Sequence, residues 1–124
     1  GTKKIREVQR REKMVLVPAV QGLRPGGMLV YSTCTFAPEE NEVVVDSALQ
    51  RFGEALRLDE LGEPPVAVQE GLTRWRDKSL HPDLQRAWRI LPDGIMEGFF
   101  ACRLRKLEST LEDYPRKADQ VQPW

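Results

Sequence analysis

Residues 28–33, MLVYST, constrain the fold more than any other stretch. The run is short, mostly apolar and rich in strand-favouring types, and it hardly alternates in polarity. That pattern predicts a β-strand buried on both faces, as in a parallel sheet. Such a strand needs neighbours within the sheet and helices above and below it.

The flanking sequence supplies some of these. Residues 3–21 read as a helix, with Ile5, Val8, Met14, Val15, Leu16 and Ala19 at roughly helical spacing. Pro18 predicts a kink or early end there, and Gly22 followed by RPGG terminates the element. A second helix is predicted from Pro38, with Glu39 and Glu40 complementing its positive start. Its apolar face is Val44, Val45, Ala48, Leu49 and Phe52, and Gly53 stops it. LRLDEL (56–61) reads as a short strand, and 62–85 as loop with one short helical turn. AWRIL (87–91) reads as a strand, PDG (92–94) as a turn, and GFFACRLRK (98–106) as the clearest later strand.

Helix, strand, helix, then late strands indicate an α/β fold. A doubly covered strand with so few partners, opened by a helix rather than a strand, reads as the second half of a doubly wound domain. Residues 1–106 form that part, and 107–124 a polar, flexible tail.

The 124 residues suffice for one domain. Nineteen basic and nineteen acidic side chains cancel, so net charge gives no support for nucleic-acid binding, although a local patch can exist within a neutral total. Two distant cysteines without metal-ligand spacing fit a reducing compartment. No apolar run approaches membrane-spanning length and no signal peptide is visible. The expectation is a cytoplasmic protein without a membrane partner or metal.

Cys34 follows the strand immediately. Free cysteine is often a buried small hydrophobe. Yet ligands of open α/β sheets bind beyond the carboxyl ends of strands, and a nearby helix start favours a thiolate. Glu39 and Glu40 oppose one. On these grounds core residue and nucleophile both stay open.

The string LRPGGMLVYSTCTFAPEENEVVV resembles the Sun-type (Nol/Nop/Sun) RNA cytosine-C5 methyltransferases, closest to their bacterial ribosomal-RNA branch. That family pairs a PGG turn, a VYSTCT strand and an EENE helix start. RILPDGIMEGFFACRLRK resembles its closing segment, and together the two anchor residues 5–106. The resemblance implies the C-terminal part of a Rossmann-like methyltransferase domain, with a mostly parallel sheet and an antiparallel closing strand. It implies methyl transfer from S-adenosylmethionine to RNA, ribosomal in kind, with Cys34 as the nucleophile. Thr33 and Thr35 would shape its loop. Asn41 and Glu42 would brace it, unless they form an exposed polar first helical turn. The family's Asp-Ala-Pro-Cys motif, Gly-rich cofactor loop and ribose-binding acid do not occur in this sequence. The cofactor site is therefore expected mostly outside this chain, and the isolated chain is expected to be inactive and to self-associate.

Cys102 reads as core, as do Trp88 and Phe99. His81, the sole histidine, has no visible nucleophile beside it in sequence. Arg74, Trp75, Arg76 and Lys78 form a basic cluster with an aromatic. It is either a solvated face or a contact for RNA phosphates with Trp75 stacking on a base. The rival function is a non-catalytic RNA-binding or assembly module that keeps the fold.

Overall fold

The computed structural model describes residues 15–91, 98–110 and 113. The predicted PDG turn, residues 3–14 of the first helix and 114–124 of the tail lie outside them. In chain order the elements are α1 (15–21), β1 (Met28–Thr33), α2 (Glu42–Phe52), β2 (Leu56–Asp59), β3 (Gln69–Glu70), β4 (Arg74–Trp75), β5 (Lys78–Ser79), β6 (Trp88–Ile90) and β7 (Phe99–Lys106). Short 3₁₀ turns, Gly53–Ala55 and Pro82–Arg86, precede β2 and β6.

The α/β class holds, but the pairing differs from expectation. Every described strand pair is antiparallel. β7 is the hub. One of its edges takes β1, with Met28 opposite Arg105 and Thr33 opposite Phe100. Its other edge is shared by β2, from Leu56 opposite Lys106 to Asp59 opposite Arg103, and β6, from Trp88 opposite Ala101 to Ile90 opposite Phe99. β1, β2 and β6 run in one direction, but β7 lies between β1 and the other two, so no parallel pair forms. β3 extends the sheet beyond β6, and β4–β5 form a separate hairpin.

Nor is β1 buried on both faces. Tyr31 is covered, whereas Met28 and Val30 are 47% and 59% exposed. The helices described lie on one side only. Leu16 and Val20 of α1 and Val44, Val45, Ala48, Leu49 and Phe52 of α2 pack with Tyr31, Leu58, Phe100, Cys102 and Leu104 into one core. Val15 and Ala19, assigned to the apolar side of α1 by their spacing, are exposed instead. The opposite sheet face carries Met28, Val30, Arg103 and Arg105 in cross-strand register. Trp88 and Phe99 stand half-buried on that side rather than in the core.

Helical backbone passes through Pro18 to residue 21, and Gly22 closes it with a bond to the Pro18 carbonyl (3.0 Å). α2 starts at Glu42 rather than Pro38. Residues 38–41 form a turn in which the Asn41 and Val43 amides both donate to the Pro38 carbonyl. The RPGG turn joins β1 to the far end of β7: the Gly26 amide donates to the Lys106 carbonyl and the Lys106 amide to Gly27. Gly26 adopts a positive φ of 83°, which glycine allows without strain.

Lys106 is fully buried where α1 and β7 meet. Its Nζ donates to the Val20 carbonyl (3.0 Å) and to Asp113 Oδ1 (2.5 Å). The Thr110 amide and hydroxyl also donate to Asp113. Within the segment expected to be a mobile tail, these bonds tie Asp113 to the domain.

Candidate functional site

The loop between β1 and α2 is built from the residues that frame Cys34. The thiol is exposed at the carboxyl end of β1, where this sheet's first strand opens to solvent. Thr33 and Thr35 flank it. Asn41, at the N-cap position of α2, would ordinarily turn its side chain toward the helix amides. It makes no such cap and turns back onto the loop. Thr33 Oγ1 donates to Asn41 Oδ1 at 2.5 Å, and Asn41 Nδ2 donates to the Thr35 carbonyl at 3.0 Å. One fully buried amide thus holds the residues on both sides of Cys34. Thr35 Oγ1 accepts from the Ala37 amide, and the Tyr31 hydroxyl donates to the Glu40 carbonyl, fastening strand to turn.

Glu42 is also fully buried, so Asn41 and Glu42 are not an exposed polar turn. The Glu42 carboxylate accepts from the Leu72 amide (2.9 Å) and from Arg89 Nη1, 2.5 and 2.6 Å from its two oxygens. Arg89 Nη2 donates to the Phe36 carbonyl at 2.6 Å, and its guanidinium lies 4.1 Å from the centroid of the Phe36 ring. The sequence reading did not single out Arg89. A lone basic residue in an apolar strand was its one available signal, since a charge there needs a buried partner.

Arg74, Trp75, Arg76 and Lys78 come together on the β4–β5 hairpin, with Trp75 opposite Lys78. Trp75 packs partly against the core, and the Arg76 guanidinium sits 5.5 Å from its ring. Arg76, in the left-handed region at φ 56°, pairs with Glu39 at 3.7 Å, and Lys78 with buried Asp46 at 3.7 Å. A groove of about 450 Å³ runs between hairpin and α2, lined by Glu39, Val43, Trp75, Arg76, Asp77, Lys78 and Leu80. The hairpin is therefore linked through Glu39 to the turn that follows Cys34.

Cys102 lies fully buried opposite Tyr31 on β7, and burial pushes its thiol far above the ordinary range, so it stays protonated and inert. His81 Nδ1 accepts from the Asp83 amide at the start of the Pro82–Arg86 turn, while its own amide donates to Asp46. Its described bonds are structural.

No group of three or more His, Cys, Asp or Glu side chains suited to a metal occurs among the described residues. Nor do they fit S-adenosylmethionine. The glycine pair at 26–27 is spent on the β1–β7 turn, at the opposite end of β1 from Cys34, and so is not free to cradle a cofactor beside the thiol. No helix among them is long and apolar enough to cross a membrane.

Comparison with known proteins bears on this arrangement. A sequence model of the 16S rRNA methyltransferase RsmB/F family matches residues 1–105. The chain is 39% identical over 105 residues to the ribosomal RNA small subunit methyltransferase F of Aeromonas salmonicida, covering 85% of this chain and 20% of that protein. It is 37% identical over 98 residues to the tRNA (cytosine(49)-C(5))-methyltransferase of Pyrococcus abyssi, covering 78% of this chain and 30% of that protein. Among solved structures, a methyltransferase homolog from Pyrococcus horikoshii superposes with a TM-score of 0.74 at 33% identity, over 86% of this chain and 33% of that one. The chain therefore spans a fifth to a third of the length of these relatives.

Proposed function

Since the chain belongs to the 16S rRNA methyltransferase RsmB/F family, we propose that it is the C-terminal part of a catalytic domain that methylates cytosine C5 in RNA, ribosomal RNA in particular, with Cys34 as the nucleophile. The carrying observation is the exposed thiol at a strand's carboxyl end, with both neighbours held by the buried amide of Asn41. Fixing the residues on both sides lowers the cost of orienting a nucleophile between them, which supports this reading.

Cytosine C5 is too electron-poor to attack a methyl donor unaided. The Cys34 thiolate adds to C6 of a base drawn out of its stack. The C5–C6 π electrons then become available at C5. After methylation a base removes the C5 proton, the electron pair re-forms the double bond, and the thiolate leaves. S-adenosylmethionine is the methyl donor we assign to the whole protein. Bound mostly by residues other than those described, it would supply the methyl group to C5 and leave as S-adenosylhomocysteine.

The hairpin cations Arg74, Arg76 and Lys78, with Trp75, are the proposed RNA contact: phosphates on the cations, a base against the ring. The cytoplasm is the compartment that suits a free thiol nucleophile.

The test is covalent trapping. The full-length gene product is mixed with 5-fluorocytidine-containing ribosomal RNA and S-adenosylmethionine, then run on a denaturing gel. Fluorine at C5 blocks the last proton removal, so the adduct persists. We expect an adduct that is lost in Cys34→Ser. RNA binding without any adduct would favour the non-catalytic RNA-binding module.

A further inference from the structure

A buried charge pair, Arg89 with Glu42, sits beside the loop that carries Cys34. Alternation along β6 turns Arg89 to the core side, opposite Phe100, where it is 4% exposed against a fully buried Glu42. Apolar side chains of similar volume generally stabilise such a position as well as an ion pair or better. A buried guanidinium has five donors to satisfy, and where the remaining ones go decides what else the pair holds. In Arg89 one guanidinium nitrogen meets Glu42, the other meets the Phe36 carbonyl, and the plane covers the Phe36 ring. Phe36 is the second residue after Cys34.

We propose that Arg89 is a positioning residue for Cys34, an assignment that rests on the nucleophilic reading above. Asn41 fixes the loop at Thr33 and Thr35, and Arg89 fixes it at Phe36. Asn41 and Glu42 are consecutive at the start of α2. The two clamps therefore share one helix end, and Arg89 references that end to β6. The result is a thiol whose backbone is held on both sides against one rigid corner of sheet and helix. The fork shape matters. A planar guanidinium satisfies a carboxylate, a carbonyl and a ring face together, whereas a lysine ammonium on a flexible stem does not. A displacement of about 1 Å in a reacting group costs on the order of 100-fold in rate.

The test uses the full-length gene product carrying Arg89→Lys, which keeps the positive charge facing Glu42, and separately Phe36→Leu, which keeps the carbonyl and removes the ring. Three quantities are read: the single-turnover rate of adduct formation at saturating 5-fluorocytidine RNA, the RNA dissociation constant, and hydrogen exchange of the amides at 35–37. For Arg89→Lys we expect the adduct rate to fall roughly 10- to 100-fold, RNA affinity to stay within about twofold, and exchange at 35–37 to quicken. Phe36→Leu should show a smaller change of the same kind. A folded Arg89→Lys protein with wild-type adduct rate and exchange would overturn the proposal. Should that variant not fold, unchanged rate and exchange in Phe36→Leu would overturn it equally. Failure of the nucleophilic reading looks different: the wild type itself then gives no adduct, and unaltered exchange at 35–37 still decides whether Arg89 positions the loop.

Discussion

The residues that matter most here are polar groups turned inward. Asn41, Glu42, Asp46, Arg89 and Lys106 are all buried, and each has a named partner in the described structure. Asp113 shows how such a partner sets charge. Its partial burial pushes the carboxyl pKa up, but the donors Lys106 and Thr110 outweigh this and hold it at about 2. A carboxylate depressed in the folded state stabilises fully above its ordinary pKa of 3.8, and that contribution is lost as pH falls toward 2. Asp113→Asn should thus cost about 2 kcal/mol at neutral pH, the scale of hydrogen bonds to charged groups. In denaturant titrations the gap from wild type should close between about pH 4 and pH 2; a gap of constant size across that range would refute the assignment. At this scale the sequence showed what depends on neighbours along the chain. Cys34 stands out because strand, cysteine and helix start are contiguous. Arg89 does not, because Glu42 lies 47 positions away and nothing local marks the pair.

Among the elements, β1, β2, β6, β7 and the body of α2 follow from apolar patterning, and all lie close to their expected bounds. The composition of 62–85 predicts loop with one short helical turn, and the Pro82–Arg86 turn forms at its end. β3 and the β4–β5 hairpin were not legible, since two-residue strands have no period to detect. Strand direction was not legible either. MLVYST lacks polar alternation because Met28 and Val30 are apolar, yet the sheet exposes them. A different element-level constraint concerns Gly71. A Cβ there would lie 2.0 Å from the Leu84 carbonyl oxygen and 3.0 Å from the Ala87 side chain. The backbone must shift to admit one, and the adjoining Leu72 amide, which donates to Glu42, shifts with it. Gly71→Ala should destabilise the fold by about 1–3 kcal/mol, the usual cost of overpacking, measurable as a lower denaturant midpoint. A midpoint equal to wild type would mean that the close approach is relaxed at no cost.

For the whole molecule, the helices described cover one sheet face, and β1 pairs with β7 alone among the described residues. Its outer edge and the Met28 and Val30 side chains invite a further strand. We therefore expect the isolated 124-residue chain to self-associate. Its sedimentation coefficient should rise with concentration, and Val30→Lys should suppress the rise. A compact monomer at high micromolar concentration would count against this. The hub position of β7 carries one more consequence, in the order of synthesis. β1, β2 and β6 all find their main partner in the last of the described strands. Met28 must wait for Arg105, 77 positions later, an interval of about 4–15 s at ordinary translation rates. For the later part of that interval the apolar MLVYST segment is outside the ribosome without its mate, which is when a nascent-chain chaperone would find something to hold.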